Sequence, residues 1–193
     1  MAKTKLAPAE LLRAATAVFR RRGYAGTSMT HLAEAAGLTK GAFYHYYASK
    51  AAVMEAALAA THEFAVREVF APTSRTDRPL RERVARFEHG ARRLFRDPEQ
   101  GCFFANTALA GGPEVARFRP AVAAFVDDWR ACLARLAADA GLPDPAAFAL
   151  RTVADIEGAI VLMRVYRDLG HLDAALARFS SALLGEGVTR QAQ

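Results

Sequence analysis

The sequence predicts an all-α protein: an N-terminal three-helix, helix-turn-helix domain followed by a C-terminal helical bundle, about nine helices in all. Three observations carry this. Alanine and leucine dominate, with arginine and glutamate, in a chain of 193 residues that is 52% hydrophobic and 24% charged, a composition that favours helix over sheet. Apolar residues recur at three-to-four spacing, and no alternating strand pattern is present. Glycine, proline and capping residues cut the chain into segments of helical length. The length allows one or two domains with a real core.

The first helix starts near Pro8, a residue tolerated in a first turn. Its inward stripe is Leu11, Leu12, Ala15, Val18 and Phe19, and Arg20, Arg21 and Arg22 load its last turn, where cations suit the helix dipole. Gly23 or Gly26 ends it. Thr27 reads as the N-cap of the second helix, whose core face is Met29, Leu32, Ala33 and Ala36. Gly37 makes the turn and Leu38 plugs it. Thr39 caps a short third helix, on which Phe43 and Tyr47 face the core while Tyr44, His45 and Tyr46 point outward or sideways. A long fourth helix runs from Ser49 or Lys50 towards Phe70, and residues 72–79 form a loop. Residues 80–96 make an amphipathic helix stopped by Asp97-Pro98. Residues 102–110 make an apolar one ended by Gly111-Gly112-Pro113. Residues 115–140 read as a long helix with a bend at Pro120. Gly141-Leu-Pro-Asp-Pro145 breaks the chain, and two final helices, 146–169 and 172–184, flank Gly170.

Charge is localised. Residues 1–50 hold Lys3, Lys5, Arg13, Arg20, Arg21, Arg22, Lys40 and Lys50 against Glu10 and Glu34, which accounts for the whole formal net charge of +6. The remaining acids and bases cancel. Every lysine lies at or before Lys50. A basic excess confined to one module is the footprint of a phosphate-binding surface; a solvated face is the weaker reading. Residues 27–50 have the layout of a helix-turn-helix whose second helix is built to lie in a DNA major groove. Thr39, Lys40 and Gly41 stand at that helix's N-terminus, where free N–H groups attract phosphate. Gly41 lets a sugar-phosphate strand approach closely. Tyr44 and His45 are long enough to reach phosphates or base edges, and Lys50 neutralises a further phosphate.

These residues resemble a known family. Thr27-Ser28, then the run Leu32-Ala33-Glu34-Ala35-Ala36-Gly37-Leu38-Thr39-Lys40-Gly41-Ala42-Phe43-Tyr44-His45-Tyr46-Tyr47-Ala48-Ser49-Lys50, is similar to the DNA-binding domain of TetR-family transcriptional regulators. The likeness covers residues 10–58. Tyr47, where phenylalanine is usual, is a mild departure. The resemblance implies a homodimer of nine-helix protomers that represses transcription at a double-stranded DNA operator until a small-molecule effector binds the C-terminal domain. By position it places Thr27, Ser28, Lys40, Gly41, Tyr44, His45, Tyr46 and Lys50 against DNA. It divides the chain into a DNA-binding domain at 1–50 and a ligand-binding and dimerisation domain at 51–193.

The segment Gly101-Cys102 through Asn106-Thr107 resembles the start of the sixth helix in one subgroup of that family, with a Gly-Cys-x-x-x-Asn pattern. That subgroup includes repressors of detoxifying reductases whose cysteine responds to electrophiles or oxidants. A thiol at a helix N-terminus is physically suited to reactivity, and Arg92, Arg93 and Arg96 lie upstream; a small buried thiol is the more ordinary role and the favoured one. Cys132, inside a long helix, reads as inert. Phe87, Phe103, Phe125 and Trp129 carry enough aromatic surface for a ligand cavity. Asn106, Arg130, Glu157 and Arg164 are its candidate polar groups, with Cys102 also placed in the ligand site, and the expected effector is hydrophobic or electrophilic. For any single residue ordinary packing is the competing reading, and the pocket rests mainly on the resemblance.

The stripes Ile156, Ala159, Ile160, Met163 with Tyr166 or Leu169, and Leu172, Leu176, Phe179, Leu183, suit a four-helix dimer interface made by the last two helices. An intra-chain core is the competing reading, and the pattern does not separate them. Function favours the dimer, because two recognition helices read a palindrome with half-sites ~34 Å apart. The five histidines are scattered without metal-ligand spacing, and no phosphate loop, nucleophile elbow or paired-carboxylate motif is visible. The expectation is a cytoplasmic DNA-binding regulator without enzymatic activity, metal, cofactor or membrane span. Two other classes are the alternatives: a DNA-organising protein of the same fold with no ligand, and an enzyme or carrier that reuses the helical bundle.

Overall fold

A computed structural model describes residues 8–95 and 97–185. Nine α-helices, and no strand, occur among the described residues: α1 (Pro8–Arg22), α2 (Met29–Ala35), α3 (Lys40–Tyr44), α4 (Lys50–Ala65), α5 (Leu80–Phe95), α6 (Phe103–Leu109), α7 (Arg119–Asp139), α8 (Pro145–Tyr166) and α9 (Gly170–Leu184). The chain forms two compact units. Among the described residues, the first comprises 8–62 and 103–123, and the second 63–95, 97–102 and 124–185. Packing therefore groups the chain differently from the functional division expected at residue 50.

In the first unit, Leu11, Ala15, Val18 and Phe19 bury the inner face of α1, and Met29, Leu32 and Ala33 bury that of α2. Val53, Met54, Ala57 and Leu58 supply the buried face of α4. The expected cap of α2 is displaced by one residue. Ser28 is the N-cap: the His31 N–H donates to Ser28 Oγ at 3.1 Å and the Ser28 N–H donates to His31 Nδ1 at 3.3 Å. Thr27 is 3% exposed, and its hydroxyl donates to the Gly23 carbonyl at 2.6 Å. It closes the turn behind α1 instead of capping α2.

Three boundaries also differ. The fourth helix does not stop cleanly near Phe70: it runs on as a π-helical turn (Val66–Phe70) and a 3-10 turn (Ala71–Ser74), so the expected loop is shortened from its start. Pro120 sits in the first turn of α7, where its missing N–H costs nothing, and the bend expected there is replaced by a separate 3-10 turn, Pro113–Phe118. α8 ends at Arg167 in the left-handed region (φ 56°). Gly170 starts α9, its N–H donating to Asp168 Oδ1 at 2.8 Å.

The second unit is locked by a buried cation. Arg83 on α5 is 4% exposed; it donates to the Thr73 carbonyl at 2.6 Å and to Asp139 at 2.5 Å. That fastens α5 to the turn before it and to the end of α7. Phe87 packs on Phe179 with ring centroids 4.9 Å apart, joining α5 to α9. The residues expected at a dimer interface, Ile156, Ala159, Ile160 and Met163 with Leu172, Leu176, Phe179 and Leu183, are all buried within the protomer. They are the intra-chain core between α8 and α9. A second apolar face remains outside: Leu150, Val161, Leu162, Val165 and Tyr166 of α8, with Leu169 just beyond it, are exposed.

Gly90 marks the closest approach in this unit. A Cβ there would meet the Glu68 carbonyl oxygen at 3.0 Å and Val69 Cα at 3.1 Å, both backbone atoms of the π-helical turn. Alanine normally stabilises a helix by roughly 0.5–1 kcal/mol over glycine. Gly90→Ala is expected to reverse that sign and destabilise the protein by about 1–3 kcal/mol through overpacking, read as a lower midpoint in urea denaturation.

Candidate nucleic-acid interface

The recognition element is a single helical turn held by its neighbours. Gly37 turns the chain at φ +65°, a conformation that suits only glycine without strain. Thr39 then caps α3, its Oγ1 accepting the Ala42 N–H at 3.2 Å. Phe43 is fully buried and anchors the turn in the first unit's core. Tyr47 follows only half-buried, its ring 6.0 Å from that of Phe43. Burial pushes its phenol above the ordinary value.

With Phe43 inside, the opposite side of α3 faces solvent. Lys40, Gly41, Tyr44 and His45 are exposed, Tyr44 to 45%, and Ser28 is exposed beside the start of α2. Tyr46 is half-buried. A Cβ on Gly41 would meet nothing within 4 Å, so its surroundings are open. Seven of the eight expected DNA contacts are therefore on or near the surface. Thr27 is the exception, because the turn after α1 needs its hydroxyl.

Lys50 is engaged differently from expectation. Its ammonium donates to the Tyr24 carbonyl at 2.9 Å and lies 4.1 Å from the centre of the Tyr24 ring. Tyr24 is itself buried, with Phe118 packed edge-on at 5.0 Å. Lys50 thus ties the first turn of α4 to the turn behind α1, and its charge is held in place. Arg20 lies over the Phe103 ring at 5.7 Å, while Arg21 and Arg22 are exposed. Lys3 and Lys5 lie outside the described residues.

The residues expected to bind an effector divide by burial. In the second unit, Phe87, Phe125 and Trp129 are buried, and the Phe125 and Trp129 rings are 5.8 Å apart. Cys102 is 2% exposed and immediately precedes α6; its thiol is hydrogen-bonded to Glu157. Burial raises the Glu157 carboxyl above its ordinary 4.5, with that hydrogen bond opposing the shift. Arg92 and Arg93, expected near the thiol, are directed to Asp173 and Glu68 instead, and Arg96 lies outside the described residues. In the first unit, Phe103 is buried and Asn106 half-buried. Arg164 is exposed on α8, so it does not line an interior pocket. Cys132 is buried against the Thr73 hydroxyl at 3.1 Å, and desolvation lifts its thiol to about 11.

A capped, buried-anchor helix-turn-helix with an exposed basic and aromatic face defines a DNA-binding regulator. The comparisons with known proteins agree. Residues 11–57 match the family model described as bacterial regulatory proteins, tetR family, and residues 81–178 match the C-terminal domain of LmrA/YxaF-like transcriptional regulators. The chain belongs to the TetR family of transcriptional regulators. An uncharacterized HTH-type transcriptional regulator of Mycobacterium tuberculosis is 28% identical over 180 residues, covering 89% of this chain and 91% of that one. TtgR of Pseudomonas putida is 40% identical over 55 residues, 28% of this chain and 26% of that one. Among solved structures, a TetR regulator from Chloroflexus aurantiacus aligns with a TM-score of 0.76 at 28% identity, over 91% of this chain and 93% of that one. A regulatory protein TetR from Rhodobacter sphaeroides aligns at 0.77 and 25%, over 92% and 99%.

The raised carboxyl of Glu157 has a stability consequence. A folded-state value above the unfolded one contributes stability that is fully present below the unfolded value and lost as pH rises through the folded one. Glu157→Gln, which keeps an acceptor for Cys102, is therefore expected to gain stability over the parent at about pH 7.5 and to lose that advantage at about pH 4. Paired urea denaturations at the two pH values measure it; an advantage that does not change with pH contradicts it.

Proposed function

We propose that this TetR-family regulator is a homodimeric repressor that binds a palindromic operator and is released by a small hydrophobic effector. The observation that carries the reading is the division of α3: Phe43 is fully buried while Tyr44, His45, Lys40 and Gly41 face out. Lys40 and Ser28 hold phosphates and fix register, and Tyr44 and His45 reach base edges, with Tyr46 at the margin. Lys50 acts first as a positioning residue through Tyr24, and its charge adds to the phosphate field. The protein works in the cytoplasm, where the operator is; no helix among the described residues is long and apolar enough to cross a membrane.

The outer face of α8 supports the dimer. Leu150, Val161, Leu162 and Val165 are exposed, with Gly158 open between them so that a second helix can approach closely. This face replaces the inward stripes in the dimerisation role. Two such faces, antiparallel about a twofold, make a four-helix interface with α9.

For the effector, Trp129 is the informative residue. Its indole N–H is buried and finds no hydrogen-bond partner among the described residues. An orphaned buried donor costs about 1–3 kcal/mol, which favours a ligand carrying an acceptor over a merely filled core. That observation ranks the effector reading above a DNA-organising protein with no ligand. The Gly-Cys-x-x-x-Asn pattern suggests electrophile sensing, but the buried, hydrogen-bonded Cys102 supports a structural thiol. Binding shifts the population towards a state whose recognition helices no longer fit successive grooves. α4 is the lever, since it begins at Lys50 beside the recognition turn and continues into the second unit.

The operator is found by sequencing duplexes retained by the purified protein, and salt-controlled titrations then test the contacts. Tyr44→Ala is expected to weaken binding about tenfold or more, in the range of ~1–3 kcal/mol for a specific contact, with an unchanged melting temperature. Gly41→Ala is expected to weaken binding without loss of stability. Unchanged affinity in both variants refutes the docking. For the dimer, Val161→Asp with Val165→Asp is expected to yield folded monomers by sedimentation and to abolish operator binding; a dimer that persists in this variant moves the interface elsewhere.

A further inference from the structure

A groove of the second unit, remote in sequence from the DNA-binding face, is lined by five arginines. Arg67 stands on the π-helical turn, Arg75 and Arg78 on the loop that follows, and Arg86 and Arg93 on α5. Two adjoining hollows of about 400 and 320 Å³ share Arg67, Arg86 and the apolar ring of Pro72. The larger is within the size range of small-molecule sites.

The internal carboxylates do not match this array. Glu68 serves both Arg67 at 2.9 Å and Arg93 at 3.5 Å. Glu82 serves both Arg78 and Arg86, the latter at 3.0 Å. Asp77 holds Arg75 at 2.8 Å. Among the described residues, five guanidiniums thus share three carboxylates, and each guanidinium offers five donors in a planar fork suited to bidentate oxyanions. The arginine side chains are 35–67% exposed, so these ion pairs are weak and exchangeable. The wall is nonetheless built: Gly90 seats α5 directly on the backbone of the π-helical turn, a type of irregularity frequent at functional sites.

We propose that this groove binds a small polyanion bearing two or more phosphate or carboxylate groups, which takes the guanidiniums now shared through Glu82 and Glu68. The site shares no residue with the expected DNA contacts or with the interior aromatic cluster. Glu82 occupies part of the anion's place, so its charge competes with the ligand.

Calorimetric titration of the full-length protein with inorganic triphosphate, and in parallel with citrate, tests this at about 0.15 M salt. The double variant Arg67→Ala with Arg86→Ala is expected to weaken binding at least tenfold, and Glu82→Gln is expected to tighten it severalfold. Tightening is a gain that misfolding cannot imitate. Binding of triphosphate alone assigns the groove to phosphates, and binding of both assigns it to oxyanions in general; either supports the site. The proposal is overturned if neither anion binds, if the groove variants leave affinity unchanged, or if Lys40→Ala alone removes binding, which would place the anion on the DNA-binding face.

Discussion

The burial of Phe43 is the contact on which the placement of α3 depends. α3 is five residues long, far below the ~12–15 residues at which an isolated helix becomes even marginal in water. Its conformation is therefore borrowed from tertiary packing. Phe43 fixes the axis, Gly37 permits the sharp approach, and Thr39 satisfies a free N–H of the first turn. The side chains left facing solvent are those remaining once Phe43 is inside, and they are the ones proposed to meet DNA. Lys50 and Tyr24 complete the frame by tying the entry of α4 to the turn after α1.

The second unit answers a different constraint. α8 is apolar on more than one side, and only one side can be buried by α9. Ile156, Ile160 and Met163 take that inner position, leaving Val161, Leu162 and Val165 outward. A second surface must cover them if their exposure is not to be a liability. Elsewhere in the unit polar groups are placed with care: Arg83 is buried only because Thr73 and Asp139 receive its donors. Cys102 and Glu157 pair in the same way, a thiol beside a carboxyl that burial holds above its ordinary range.

Legibility varied with the range of the interactions involved. The fold class, the nine helices and the recognition turn were readable because apolar periodicity and capping chemistry are local. Phe43 inside and Tyr44 outside follow from helical geometry over one turn. The exchange of roles between Thr27 and Ser28 was not readable: both are good caps, and the choice depends on where the Gly23 carbonyl lies. Pro120 reads as a bend in the sequence because proline is disfavoured inside a helix, whereas a 3-10 turn ahead of it makes it part of a first turn. Arg167 gave no signal, since arginine rarely adopts a left-handed conformation.

The sequence by itself determined the class of protein, through a motif dense enough to identify the family and a charge excess confined to one module. Those are properties of neighbouring residues, and they survive without knowledge of the fold. Only the tertiary structure decided which apolar stripe of α8 is core and which is free. It also decided that Lys50 is tethered to Tyr24, that Cys102 is shut away against Glu157, and that five arginines converge on one groove. Each of these joins residues distant in the chain, and such pairings are set by packing density and by the pairing of buried polar groups, which no local pattern encodes.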